Sequence, residues 1–135
     1  AHVSSLLRLG RMAEENRRFA EALKYYRRAL AAGGPAATTL RHLARLALNR
    51  GRLDEAREHL HQALLRDPKD AFALQLMARI YLAEGEDPAI AEAMARQAVA
   101  LRPERREFWV ELSRALAAQG RDDEARDAAA RAEGV

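Results

Sequence analysis

Cysteine is absent from the 135 residues, which excludes a disulfide framework, a thiol nucleophile and cysteine-ligated zinc. That absence fits a cytosolic or a periplasmic setting and chooses neither. Aromatic residues make up only 5% of the chain and β-branched residues are scarce, so strands lack their usual material. Proline occurs four times, never inside an apolar helical pattern. No apolar run approaches the roughly 20 residues a membrane helix needs, so no membrane insertion is expected, and no signal peptide is visible. Charge of one sign is also in short supply. The 23 basic and 20 acidic residues leave a net +3, too little to imply nucleic acid by itself. The chain opens Ala1-His2 rather than with methionine and is expected to be a fragment of a larger protein.

Alanine, leucine and arginine dominate what remains, with 49% hydrophobic residues, which favours helix. The stretch Ala37 to Pro68 reads as a helix, a glycine-containing turn, a second helix and a proline stop. Its pattern recurs. Gly51-Arg52-Leu53-Asp54-Glu55-Ala56 returns as Gly120-Arg121-Asp122-Asp123-Glu124-Ala125. Ala22, Ala56, Ala91 and Ala125 are spaced 34, 35 and 34 residues apart, each followed seven residues later by Ala29, Ala63, Ala98 and Ala132. In the first helix of the second unit, Leu40, Leu43, Ala44 and Ala47 trace one apolar helical face. The column Gly10, Ala44, Ala78, Ser113 is always small, which admits a neighbouring helix closely. The expected helices are 3–16 and 19–32, 37–50 and 53–66, 71–84 and 88–101, and 105–119 and 122–133. Arg17 stands where the other turns have Gly51, Gly85 and Gly120, so Asn16 is expected to supply the left-handed residue there. Asp87 reads as an N-cap with Pro88 at the first helical position.

These columns resemble the tetratricopeptide repeat family, over nearly the whole chain and as four units in register. The resemblance implies an all-α fold, a right-handed α-solenoid of stacked antiparallel helix pairs, with the first helix of each pair lining a concave groove. It predicts one domain over 1–135, with repeats at about 3–35, 37–70, 71–105 and 106–135. It also implies a protein–protein interaction or scaffold module. Some members of the family clamp the acidic C-terminus of heat-shock chaperones with Lys, Asn and Arg on three first helices. The matching residues here are Leu7, Arg11, His42, Phe72 and Leu76, or one unit on, Arg41, Arg45, Leu76, Glu107 and Glu111. Neither set fits, so that clamp is rejected.

A repeat protein of this kind works by its surface. Opposite the apolar stripe of each first helix stands an arginine: Arg11, Arg45, Arg79 and Arg114. On helices stacked about 8–10 Å apart they would form a ladder along the groove, flanked by Arg41. Arginine's planar fork suits carboxylates or phosphates, so the groove is expected to hold a peptide or partner segment with acidic groups. The same column also reads as an ion-pair ladder with Glu14, Glu15 and Glu111. Phe72 reads as a pocket wall for a partner's side chain or as packing on the turn near Asp70. Leu76 and Leu82 make the third unit apolar, Glu107 and Glu111 make the fourth more acidic, and Gln75 and Asn49 complete the expected groove residues.

Catalytic chemistry is thin. Ser113 occupies a small packing position, His59 and His61 point to different sides of a helix, and Gly33-Gly34 is a helix stop rather than a phosphate loop. Glu55 and His59 read as a surface pair. No enzyme activity, cofactor or metal is expected. The expected partner is another protein or peptide, with the chain a monomer or a weak homo-oligomer. The competing readings are non-specific nucleic-acid binding through the arginines, or a self-association or accessory module of a larger enzyme. Tyr25, Tyr26, Tyr81 and Trp109 sit at packing positions rather than among the arginines, which weighs against stacking on bases.

Overall fold

A computed structural model describes residues 2–135. Among the described residues it has eight helices and no strand: α1 (Val3–Glu15), α2 (Phe19–Ala31), α3 (Ala36–Asn49), α4 (Leu53–Arg66), α5 (Ala71–Ala83), α6 (Pro88–Leu101), α7 (Arg106–Ala118) and α8 (Asp122–Glu133). The repeat pattern locates every one of them to within a residue or two. The helices fall into two units, residues 1–68 with α1 to α4 and Lys69–Val135 with α5 to α8. In each unit two helix pairs stack, successive helices packing on one another.

The turn inside each pair has one construction. The residue after the C-cap is left-handed, and two backbone bonds fold back onto the last helical turn, as in a Schellman closure. Gly51, Gly85 and Gly120 take φ of 72°, 68° and 74°. In the first pair the left-handed residue is Arg17, at φ 59°, and not Asn16, which lies at φ −88°. Position overrides residue preference here. Asn16 is the C-cap itself, and the closure needs the residue after it: Arg17 N–H donates to the Glu14 carbonyl at 2.9 Å and Arg18 N–H to Ala13 at 2.7 Å. The third turn is built as expected, with the Asp87 side chain accepting from Ala89 N–H at 3.0 Å and Pro88 opening α6. A second cap is unannounced by the repeat: the Asp70 carboxylate accepts from Ala73 N–H at 3.2 Å.

Unit one packs around Tyr26, Leu43 and Leu46 with Ala13 and Ala22. Unit two packs Leu112 and Leu116 against Ala95, Ala125 and Ala128, beside a smaller group of Ala78, Ala91 and Ala115. The alanine columns are therefore the contact surface of the second helices. The small column does different work at each end. At Gly10 a Cβ would lie 2.5 Å from Tyr26 Cε1, so only glycine admits that ring. Ser113 donates its hydroxyl to the Ala125 carbonyl at 2.8 Å, tying α7 to α8.

Candidate functional site

The first helices carry the arginines, and in each unit one carboxylate, mostly buried in unit one and fully buried in unit two, holds some of them. In unit one that carboxylate is Glu14 of α1, whose side chain is only 13% exposed. Its Oε1 accepts from Arg45 Nη2 of α3 at 2.8 Å and from the Tyr26 hydroxyl of α2. Tyr26 is fully buried and stacks on His42, with centroids 5.1 Å apart and planes at 7°. Arg45 Nη2 also lies 3.0 Å from His42 Nδ1. A guanidinium can only donate, so Nδ1 is the acceptor and the ring proton sits on Nε2. Burial first, then the charges of Arg45 and Arg41, lower the His42 pKa to about 4. Burial and the hydrogen bond to Glu14 raise the Tyr26 hydroxyl above its ordinary range. Three helices thus converge on one tightly bonded network.

In unit two the carboxylate is Glu111 of α7, 1% exposed. Its Oε1 lies 3.5 Å from Arg79 Nε of α5, 4.0 Å from Arg114 Nη1 and 3.5 Å from Gln75 Nε2. Charge-assisted bonds normally close to about 2.7–2.9 Å. Here none does, and Glu111 Oε2 and Arg79 Nε are buried without a hydrogen bond. Around them lies a cavity of about 290 Å³, lined by Gln75, Arg79, Arg106, Val110, Glu111 and Arg114. The side chains of Arg79 and Arg114 remain 43% and 60% exposed. Glu107 lines the cavity as well and has its own partner, Arg105, at 2.9 Å.

The expected groove residues therefore separate. Arg45 is built into the unit-one network, with Arg41 half-buried and Arg11 exposed beside it; both charges are felt at His42. Asn49 is exposed on the last residue of α3. Gln75, Arg79 and Arg114 come together in the unit-two cavity. Phe72 is half-buried, edge-on to Phe108 at 5.1 Å, with the Arg105 guanidinium 4.9 Å above its ring. Leu76 is buried rather than groove-lining. Glu111 does not make the fourth pair's surface acidic, because it is beneath that surface. Arg105 and Arg106 join the site although the sequence pattern does not mark them. His42, read from the sequence only in the rejected clamp, and Tyr26, read only as packing, join it through Glu14 and Arg45. Trp109 donates its indole N–H to the Pro103 carbonyl at 2.8 Å, and Arg131 covers its ring at 5.2 Å. Among the described residues no group of three or more His, Asp or Glu could hold a metal ion, and no helix is long and apolar enough to cross a membrane.

The family profile described as "Cilia and flagella-associated protein 70 middle TPR-like domain" matches residues 6–134. No curated protein matches the chain. Among solved structures, a thermophilic TPR protein of Thermus thermophilus is 21% identical with a TM-score of 0.84, over 97% of this chain and 73% of that one. MamA is 18% identical with a TM-score of 0.80, over 98% and 77%. The Arabidopsis OM64 TPR domain is 21% identical with a TM-score of 0.76, over 84% and 93%. At these identities the likeness is one of fold: an α-solenoid of TPR type.

Proposed function

Because the chain belongs to the family of the cilia and flagella-associated protein 70 middle TPR-like domain, whose fold serves protein interaction, we propose that it binds an acidic peptide segment on the arginine-bearing faces of its first helices. The observation that carries this reading is the surplus of positive charge in unit two. Glu111 alone stands beneath Arg79 and Arg114, whose side chains are 43% and 60% exposed. A buried carboxylate holds each arginine stem in place, so less side-chain freedom is lost when the fork meets an anion. Arg79 reaches Glu111 through Nε, which leaves both Nη groups of its fork for a ligand. In unit one Arg45 is tied down by Glu14 and His42, and Arg11 is the exposed cation.

Replacing Arg45 would strand the Glu14 carboxylate, so it is a poor probe of binding. Arg114 and Arg11 are exposed and better ones. A fluorescent peptide rich in glutamate should bind the chain, and Arg114→Ala should weaken it about tenfold, near the 1.5–3 kcal/mol of one hydrogen bond to a charged group, with helix content unchanged by circular dichroism. Equal affinity for a lysine-rich peptide, or for the variant, would refute the reading. Tighter binding of single-stranded RNA than of the peptide, with a steep salt slope, would transfer the arginines to nucleic acid.

A further inference from the structure

The unit-two cavity has a charge and shape more specific than an acidic peptide requires. Three guanidiniums line it: Arg79 from α5 and Arg106 and Arg114 from α7. Of the two carboxylates beside them, Glu107 is matched by Arg105 outside the arginine trio. Glu111 offsets one of the three. Two guanidinium charges remain uncompensated on a cavity of about 290 Å³. A glutamate or aspartate side chain supplies one negative charge and two oxygens. A phosphoryl group supplies close to two charges at neutral pH and three strong acceptor oxygens.

The internal bonding points the same way. Arg79 Nε has no acceptor within hydrogen-bond geometry, so its donor capacity is not spent on Glu111. The contacts of 3.5 and 4.0 Å hold the arginines near Glu111 without consuming their forks. Unit one shows the contrast: there Arg45 closes to 2.8 Å on Glu14 and leaves no comparable set. Val110 adds an apolar wall for the methylene or methyl that carries a phosphate ester.

We propose that the cavity formed by Arg79, Arg106 and Arg114 is a phosphoryl site, taking a phosphoserine or phosphothreonine of a partner segment. This rests on the acidic-peptide reading and narrows it to one pocket and one anion. Binding by this chain would then depend on a modification of the partner.

The test uses the full chain, isotopically labelled, titrated by NMR with three blocked pentapeptides, Ala-Ala-X-Ala-Ala, where X is phosphoserine, glutamate or serine, and with inorganic phosphate. The expected order is phosphoserine about tenfold tighter than glutamate, consistent with its extra charge-assisted bonds, and serine weakest. Amide shifts should centre on α5 and α7. Arg106→Ala and Arg114→Ala should each cost the phosphoserine peptide about tenfold, while Lys24→Ala, which removes an exposed cation of α2, leaves it unchanged. Equal binding of glutamate and phosphoserine, both lost in Arg114→Ala, would overturn the phosphoryl site and leave the acidic-peptide reading standing. Inorganic phosphate binding as tightly as the peptide would overturn the assignment to a partner segment, and phosphoserine binding that survives both substitutions would overturn the site. If serine binds as well as either acid, both readings fail.

Discussion

Replacing Gly10 by alanine tests how unit one is assembled. On helix propensity alone the change should stabilise α1 by about 1 kcal/mol, since glycine is the poorer residue in a helix interior. The structure predicts the opposite sign. The new Cβ would sit 2.5, 2.8 and 2.9 Å from Cε1, Cδ1 and Cζ of Tyr26, where carbon pairs prefer about 3.5–4.0 Å. The ring has to retreat by roughly 1 Å to reach that separation, and it has nowhere to go. It is fully buried, its hydroxyl is committed to Glu14, and His42 is stacked on its face. Overpacking of this kind costs about 1–3 kcal/mol, and loosening a hydrogen bond to a charged acceptor adds about 1.5–3 kcal/mol. The sum outweighs the propensity gain, so Gly10→Ala should destabilise the chain by about 1.5–5 kcal/mol. Urea unfolding followed at 222 nm measures it. The decisive control is Tyr26→Ala, which removes the obstacle; in that background the same change should be neutral or stabilising, and the cycle should show a coupling of about 2 kcal/mol. A Gly10→Ala protein more stable than the parent, or an equal effect in both backgrounds, would refute the packing argument.

Two further outcomes follow from the turns and the network. His42 has a folded pKa of about 4 against an ordinary 6.5, so between those values the unfolded chain binds the extra proton. Its stabilising contribution is complete above pH 6.5 and is lost as pH falls towards 4, by up to about 3 kcal/mol. His42→Gln should flatten the stability–pH curve in that window, and an unchanged slope would count against the buried neutral ring. Arg17 occupies the left-handed region at φ 59°, a strain of about 1–2 kcal/mol for a residue with a Cβ. Arg17→Gly should relieve it. The net gain is about 0.5 kcal/mol, because the glycine loosens the unfolded chain and the Arg17 contact over Phe19 at 5.9 Å is lost. Thermal unfolding showing a lower midpoint would contradict that balance.

Much of the fold was legible because it repeats. Alanines at a period near 34 residues, an apolar face in each first helix and stops at each turn locate all eight helices. At the first turn residue preference points to Asn16, while the glycines of the other three turns mark Arg17 as the left-handed position. The carboxylates were harder. Glu14 falls in the column of Leu48, Leu82 and Ala117, and Glu111 in that of Arg8, His42 and Leu76, so neither belongs to a repeating chemical feature. Their partners lie 31 residues away for Arg45 and Glu14 and 36 for Gln75 and Glu111, across first helices that no local pattern connects. One signal was present. His42 and Leu76 are both buried, and a column shared with an apolar residue puts Glu111 inside, where a charge needs a partner.

The two carboxylates also have a consequence for register. Four equivalent arginines on four equivalent helices would offer a bound segment the same contacts after slipping by one repeat, and so no unique alignment. Glu14 and Glu111 occupy different columns and hold different arginines at different tightness, so the chemistry does not share the period of the backbone. A segment anchored at Arg79, Arg106 and Arg114 finds no second copy of that trio one repeat away. The scaffold is periodic, and the address written on it is not.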